Sequence, residues 1–197
     1  MSIFRWFAVS FLMLGLAGCG PSVPQTPFKG TDITGVPWGK ELRLTDHNGK
    51  PRALSDFHGK AVAIFFGYTH CPDVCPTTLG ELALILKQLG PEAEKVQVLF
   101  VTLDPGRDTP EVLRQYVPSF HPGFLGLTGS EAEVAQAAKS FNVFYEKKES
   151  GSKAGYLVDH SANTFLIDPL GRVRLLYGFG AAPASIVHDI KQLLAGK

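Results

Sequence analysis

Two cysteines lie at the point where the sequence changes from an apolar run to an amphipathic segment. Residues 61–66 read Ala-Val-Ala-Ile-Phe-Phe, which predicts a buried strand, and residues 78–89 carry apolar side chains at helical spacing. Cys71 and Cys75 stand between these segments. The free N–H groups and positive dipole end of a helix stabilise thiolates, so this junction favours reactive thiols. Pro76 suits the first helical position, where its missing N–H does no harm.

The remaining patterns predict a mixed α/β domain. Asn48-Gly49 between two extended segments indicates a hairpin, and 96–103 is a second continuously apolar strand, typical of parallel pairing. The other predicted elements are helices over 110–120, 130–141 and 183–194 and strands over 142–147, 164–167 and 172–177. A strand–helix–strand unit followed by antiparallel strands and a closing helix is the layout of a thioredoxin-like fold. We therefore predict a central mixed β-sheet flanked by helices, with an N-terminal β-hairpin extension.

The N-terminal segment is predicted to lie outside this domain. Arg5 precedes an apolar run over 6–16 that is too short for a convincing membrane span and is typical of a signal peptide. The sequence Leu-Ala-Gly-Cys ending at Cys19 resembles the lipobox of bacterial lipoproteins, in which the cysteine is lipidated and begins the mature chain. An ordinary signal peptide with an incidental cysteine is the alternative.

The predicted division is a signal peptide over 1–18, a lipidated N-terminus and flexible tether over 19–38, and the folded domain over 39–197. We expect an exported protein, lipid-anchored to a bacterial membrane, with its domain in the periplasm or otherwise outside the cytoplasmic membrane. A formal charge of +1 gives no electrostatic basis for binding nucleic acid. An oxidising compartment makes a structural Cys71–Cys75 disulfide one alternative, although so small a loop constrains the unfolded chain little.

The spacing of the two cysteines also suits a metal. Three intervening residues place both sulfurs on one face of a helix, or allow a chelating bite in a loop. Thiolates favour Cu(I), zinc or iron–sulfur centres, and two thiolates alone leave a coordination sphere that needs a further ligand. Two sulfurs and one imidazole suit copper in either oxidation state.

His160 is the strongest candidate for that further ligand. It lies immediately before the predicted strand 164–167, and the loop at this place faces the dithiol in thioredoxin-like folds. Asp159 beside it could orient the ring. His70 adjoins Cys71 and is expected to point away from the bite. The other histidines are expected to be solvated (His47 in the hairpin turn, His58 in a polar loop), packed or exposed on a helix (His188), or without an evident partner (His121).

Three blocks of the sequence resemble conserved blocks of the Sco/SenC family of copper chaperones. They are Tyr-Thr-His-Cys-Pro-Asp-Val-Cys-Pro over 68–76, Leu-Asp-Pro-Gly-Arg-Asp-Thr-Pro over 103–110, and Asp-His-Ser-Ala from 159 with Leu-Ile-Asp-Pro-Leu-Gly from 166. The resemblance covers roughly 42–194. It implies a thioredoxin-like fold and one copper ion, Cu(I) or Cu(II), held by Cys71, Cys75 and His160.

The resemblance also implies a function, the assembly of the binuclear copper site in subunit II of cytochrome c oxidase. Other exported copper chaperones or thiol–disulfide reductases are further candidate partners. The alternative function is that of a thiol–disulfide oxidoreductase acting on an exported target, although such enzymes carry Cys-x-x-Cys; a peroxiredoxin-like peroxidase is a weaker option. Asp104, Arg107 and Asp108 are expected to shape a loop near the site, and Asp73 to lie in a solvated turn.

Overall fold

The computed structural model describes residues 28–149, 151 and 155–197. The strands of this part of the chain are β1 Thr31–Asp32, β2 Arg43–Asp46, β3 Pro51–Ala53, β4 Ala61–Gly67, β5 Val96–Thr102, β6 Leu125–Thr128, β7 Tyr145–Glu149, β8 Tyr156–His160, β9 Thr164–Ile167 and β10 Val173–Tyr177. Its α-helices are α1 Val74–Leu89, α2 Pro110–Tyr116, α3 Glu131–Ser140 and α4 Pro183–Leu194. The predicted signal peptide over 1–18 and Cys19 lie outside the described residues.

Eight strands form one mixed sheet in the order β1-β10-β9-β4-β5-β6-β2-β3. β4, β5 and β6 are parallel and are connected through α1 and α2, whereas β9 runs antiparallel to β4. β4 therefore lies in the interior of the sheet, and every one of its residues is buried. This explains its unbroken apolar sequence, which the sequence analysis predicted. The carboxyl end of β4 is where the cysteine segment begins.

The predicted hairpin and mixed sheet are confirmed. β2 and β3 pair antiparallel, and β2 adds this hairpin to the sheet along β6. Asp46 closes the turn, since its Oδ1 accepts hydrogen bonds from the N–H groups of Asn48 at 2.9 Å and Lys50 at 3.0 Å. Gly49 adopts φ +81°, a conformation that favours glycine.

The stretch 28–38, assigned to the tether by its composition, is attached to the domain. β1 pairs with β10, and Phe28, Ile33 and Trp38 pack against the core. The Asp189 carboxylate accepts hydrogen bonds from the backbone N–H groups of residues 29 and 30 at 2.8–3.0 Å. The folded domain therefore begins before residue 39, because three apolar side chains in a Gly- and Pro-bearing stretch are enough to dock it. Residues 19–27 of the predicted tether lie outside the described residues.

Several element boundaries differ from the sequence prediction. α1 begins at Val74, so Pro76 occupies its third position and Cys75 its second. The helix predicted over 110–120 ends at Tyr116 and continues as a 3-10 turn, where Pro118 has no N–H to donate. The strand predicted over 142–147 starts only at Tyr145, since Asn142 ends the preceding helix at φ +54°.

β7 and β8 form a separate two-stranded ribbon, with Tyr145 opposite His160. His160 is thus the last residue of a strand rather than part of a loop. Residues 150 and 152–154 of the polar segment between these strands lie outside the described residues. In the described ranges, no helix has the length and apolar character needed to cross a membrane.

An aromatic cluster fills the core behind the cysteine segment. Phe66, Phe141 and Phe165 are at most 2 % exposed, and their ring centroids are 5.2–6.2 Å apart in tilted or edge-to-face contacts. Each fully buried phenylalanine contributes roughly 1.5–3 kcal/mol from burial of its apolar surface. The cluster joins β4, β9 and the end of α3, so the strand that leads to the cysteines has a rigid support.

Candidate metal centre

The two cysteines occupy the junction between β4 and α1. No side-chain oxygen caps the start of α1; instead, the Cys71 sulfur accepts a hydrogen bond from the backbone N–H of Cys75 at 3.4 Å. The sulfur takes the place of a capping oxygen, at the end of the helix where its dipole favours negative charge. The local chain conformation thus stabilises a thiolate at Cys71, as the sequence position predicted.

The two thiols are free and chemically unequal. Cys75 is fully buried, whereas Cys71 is only partly buried. A hydrogen bond from the Cys75 thiol, supported by the His160 side chain and by the backbone N–H groups of Asp73 and Cys75, outweighs partial burial and lowers the pKa of Cys71 to about 3. The same hydrogen bond, together with burial, raises the pKa of Cys75. At neutral pH the pair therefore holds one accessible thiolate and one enclosed thiol.

Gly67 makes room for the inner sulfur. A Cβ atom at this position would lie 2.8 Å from the Cys75 sulfur and 3.0 Å from the rings of Phe65 and Phe100. None of these neighbours lies at the free end of a flexible chain, so any other residue would displace the sulfur. The glycine that ends β4 is thus part of the site, which the sequence analysis did not anticipate.

His160 brings its imidazole to the buried cysteine. Its Nε2 lies 3.6 Å from the Cys75 sulfur, and its Nδ1 lies 3.1 Å from the carbonyl oxygen of Ser161. A carbonyl oxygen only accepts, so Nδ1 carries a hydrogen, and Nε2 is the ring nitrogen that faces the sulfur. A backbone carbonyl that orients the ring in this way is the usual support of a metal-ligating histidine. Asp159, predicted for that role, is exposed, and Nδ1 donates its hydrogen bond to the Ser161 carbonyl oxygen instead.

Two aromatic rings hold the imidazole in place. Phe65 and Tyr68 both meet the His160 ring edge-on, with centroids 6.1 Å away, and both are at most 2 % exposed. The side of the site next to Cys75 is therefore lined by buried aromatic rings, whereas Cys71 is only partly buried. Such a wall limits solvent access to a bound ion.

The spacing of Cys75 and His160 fits two ligands of one ion. Bonds of about 2.3 Å to sulfur and 2.0 Å to nitrogen place two tetrahedral ligand atoms about 3.5 Å apart, close to the observed 3.6 Å. Across residues 28–149, 151 and 155–197, however, no group of three or more His, Cys, Asp and Glu side chains is already arranged to hold a metal. The donor set is soft and suits copper, and Cys71 would complete it by closing on the ion.

The structure places the other histidines away from this cluster. His47, expected to be solvated, is 5 % exposed: its Nδ1 accepts the N–H of Gly126 at 3.0 Å, and burial lowers its pKa. The Asn-Gly turn predicted a solvent-exposed histidine, but Gly126 in β6 covers the imidazole of His47. His58 is exposed, His121 accepts an N–H from Gly123, His188 contacts Asp189, and His70 is exposed with its Nδ1 3.1 Å from the Thr69 hydroxyl. Asp73 is exposed at the turn, as predicted.

Comparisons with known proteins agree with this geometry. The profile of the SCO1/SenC family matches residues 31–195. The mitochondrial SCO2 homolog of Mus musculus is 39 % identical over 157 residues, which are 79 % of this chain and 62 % of the relative. The chain thus spans about three-fifths of the length of that relative.

Two solved structures superpose on the domain. The copper-bound structure of ScoI from Bradyrhizobium japonicum has a TM-score of 0.73 and 39 % identity, covering 79 % of this chain and 99 % of that one. Apo Sco1 from Thermus thermophilus has a TM-score of 0.75 and 44 % identity, covering 87 % and 99 %. The thioredoxin-like fold predicted from the sequence is therefore confirmed. Sequence, fold and the arrangement of the site lead to one conclusion: this chain belongs to the SCO1/SenC family.

Proposed function

We propose that this protein is a copper metallochaperone that binds one copper ion as cargo through Cys71, Cys75 and His160. The observation that carries the proposal is the 3.6 Å approach of His160 Nε2 to the Cys75 sulfur, with Nδ1 of the same ring held by the Ser161 carbonyl oxygen. These residues lie 85 positions apart in the sequence. The related ScoI was solved with copper bound.

The unequal exposure of the ligands suggests how copper would be transferred. A partner reaches Cys71 more easily than Cys75, because Cys75 is fully buried and Cys71 is only partly buried. An incoming thiolate or imidazole would replace Cys71, and the other two ligands would follow. Oxidation of the thiolate–thiol pair by an exported thiol oxidant removes two electrons and one proton, and the resulting disulfide offers no thiolate to copper.

We further propose the binuclear copper site of cytochrome c oxidase subunit II as the recipient, and a lipid anchor at Cys19 that attaches the domain to a bacterial membrane, in the periplasm or otherwise outside the cytoplasmic membrane. Membership of the SCO1/SenC family and the lipobox-like sequence support these two statements. Mixing the copper-loaded chain with the soluble domain of subunit II should produce the absorption of a binuclear copper centre. Mass spectrometry of the mature N-terminus should show a lipidated Cys19.

The ligand assignment is tested by metal analysis of the reduced full-length chain in detergent. We expect one copper per chain and a thiolate-to-Cu(II) charge-transfer band, and we expect His160→Ala to lose that band and bind copper more weakly. His58→Ala is the matched control, because His58 is exposed and lies before the amino end of β4, at the opposite end of that strand from the cysteines. Wild-type copper affinity and spectrum in His160→Ala would show that the assignment is wrong.

The unequal thiols favour a second candidate function, that of a thiol–disulfide oxidoreductase. The Cys71 thiolate would attack a target disulfide and form a mixed disulfide, releasing one target thiolate. Cys75, once deprotonated, would then attack the Cys71 sulfur and release the second, so that the target gains two electrons and this chain becomes a disulfide. Reduction of a disulfide substrate that continues in copper-free His160→Ala would favour this function over copper transfer.

A further inference from the structure

The loop over residues 104–108, here the 104–108 loop, lies beside the cysteines. β5 is the parallel neighbour of β4, with Thr102 opposite Gly67, so this loop and the cysteine segment leave the same edge of the sheet. Asp104 and Asp108 stand at its two ends, and both are fully buried. A buried carboxylate requires hydrogen bonds or counter-charges. The hydrogen-bond partners of the Asp104 and Asp108 carboxylates therefore show which neighbouring segments the loop fixes in place.

Asp108 holds the segment that carries the cysteines. Its Oδ2 accepts the backbone N–H of Thr69 at 3.0 Å, and its Oδ1 accepts the Thr69 hydroxyl at 2.6 Å. The hydroxyl of Thr102, the last residue of β5, donates to Oδ2 at 2.6 Å. Because Thr69 comes two positions before Cys71, this carboxylate fixes the start of the cysteine segment relative to the end of β5.

Asp104 and Arg107 hold the strand that carries the histidine. Tyr156, the first residue of β8, donates from its hydroxyl to Asp104 Oδ1 at 2.8 Å. The Arg107 guanidinium lies over the Tyr156 ring, with Cζ 3.7 Å from the centroid. The guanidinium also donates to the Tyr156 carbonyl oxygen at 3.1 Å and, through Nε, to Asp104. The ring, hydroxyl and backbone of one tyrosine are thus all held by stacking and charge-assisted hydrogen bonds.

The held tyrosine and the histidine lie on the same face of β8. Side chains alternate along a strand, so Tyr156, Val158 and His160 share one side, and Val158 is buried. The four steps from Tyr156 to His160 span about 13 Å of extended chain. A shift of β8 at its first residue is therefore passed along the strand to the imidazole.

We propose that the 104–108 loop sets the distance between the cysteines and His160, with Asp108, Asp104 and Arg107 as positioning residues for metal binding. The inference rests on the copper site proposed above. The Asp108 arm acts through the cysteine segment, whereas the arm formed by Asp104 and Arg107 acts through β8 and hence through His160. Removing the arm formed by Asp104 and Arg107 leaves Cys71 and Cys75 in place and displaces His160.

The test is a double-mutant cycle on copper affinity, measured on the reduced full-length chain in detergent. Tyr156→Leu removes the stack and the hydroxyl bond, and we expect copper affinity to fall by about 10- to 100-fold. In a His160→Ala background the same change should alter affinity by no more than about two-fold, because the ligand through which it acts is gone. Asp108→Asn should weaken binding in both backgrounds. Equal losses for Tyr156→Leu in both backgrounds would overturn the proposal.

Arg174 offers a matched control for Arg107. It too pairs with a buried carboxylate, Asp168 at 3.2 Å, and lies over a ring, that of Phe28, at 5.4 Å. Asp168 follows β9 beside the amino end of β4, far from the cysteines. Arg174→Met loses its ion pair and one cation–π contact, and Arg107→Met loses its ion pair and two cation–π contacts, with Tyr156 and with Tyr68 at 5.8 Å. Only Arg107→Met should lower copper affinity. Tyr156→Phe, which keeps the ring, should fold as wild type and show a smaller loss than Tyr156→Leu.

Hydrogen exchange of the metal-free chain supplies a readout that does not depend on copper. Arg107→Met and Tyr156→Phe should speed exchange of the β8 amides and leave β9 protected, whereas Arg174→Met should leave β8 unchanged. Unchanged β8 exchange in Arg107→Met would overturn the positioning role even if copper affinity fell. A wild-type chain that binds no copper would refute the proposed function, and the exchange data would still decide whether the loop holds β8.

Discussion

Gly67→Ala tests the packing of the site most directly. The added Cβ would lie 2.8 Å from the Cys75 sulfur, while ordinary van der Waals contact begins at 3.4 Å, so the sulfur must withdraw by 0.6 Å. Cys75 is fully buried, so the sulfur can withdraw only by displacing its neighbours, and the added Cβ would also meet the rings of Phe65 and Phe100 at 3.0 Å. Overpacking of this kind costs about 1–3 kcal/mol. We expect the free energy of unfolding to fall by that amount, and copper affinity to fall because the Cys75 sulfur is displaced from its position beside His160.

The assay combines urea unfolding of the reduced, metal-free chain with copper titration. Gly80→Ala is the matched control, since Gly80 lies inside α1 and an added Cβ there meets nothing within 4 Å. It should raise stability by roughly 0.8–1 kcal/mol, because alanine is the better helix former, and leave copper binding unchanged. Wild-type stability together with wild-type copper affinity in Gly67→Ala would refute the packing of the sulfur against Gly67.

Three further predictions follow from single groups. Phe141→Ala removes a fully buried ring that contacts Phe66 at 5.3 Å, and calorimetry should show a loss of about 3–5 kcal/mol; a loss below 1 kcal/mol would contradict this packing. The pKa of Cys71 is lowered to about 3, so its thiolate is fully formed at pH 5, and its alkylation by iodoacetamide should change little between pH 5 and pH 8. An unperturbed thiol would gain about tenfold per pH unit over that range, and such a rise would show that the thiolate is not stabilised. Asp189→Asn replaces the carboxylate that accepts hydrogen bonds from the N–H groups of Lys29 and Gly30 with a neutral amide. The N-terminal segment is then held more weakly, so limited proteolysis after residue 29 should be faster than in wild type. An unchanged cleavage rate would show that this carboxylate does not hold the N-terminal segment.

The part of the site that could be predicted from the sequence is the part carried by local patterns. An apolar run, two cysteines and a helical segment place the thiols at a strand–helix junction, and the structure has them there. The selection of His160 among six histidines depended on the order of elements and on the family resemblance. Its tautomer could not be predicted, because the Ser161 carbonyl meets Nδ1 only once the end of β8 has folded.

The features that the sequence did not reveal depend on contacts between distant segments. The bond between Tyr156 and Asp104 joins residues 52 positions apart, and that between His47 and Gly126 joins residues 79 apart. No local pattern marks Tyr156 as the partner of a buried carboxylate, and a histidine in an Asn-Gly turn is normally solvated. The sequence shows Gly67 only as the residue that follows an apolar run. Its role in making room for the Cys75 sulfur depends on the folded position of that sulfur.

The two halves of the site are attached to the domain in different ways, and this difference bears on copper exchange. The cysteines follow β4, which has strand neighbours on both sides in the main sheet. His160 ends β8, which pairs only with β7 in the part of the chain that the structure describes, and is fastened through Tyr156 and the contact of Ser161 with Phe144. Elements with fewer packed neighbours open at lower free energy. Copper release should therefore begin either at the partly exposed Cys71 or by displacement of His160, while Cys75 retains its place longest.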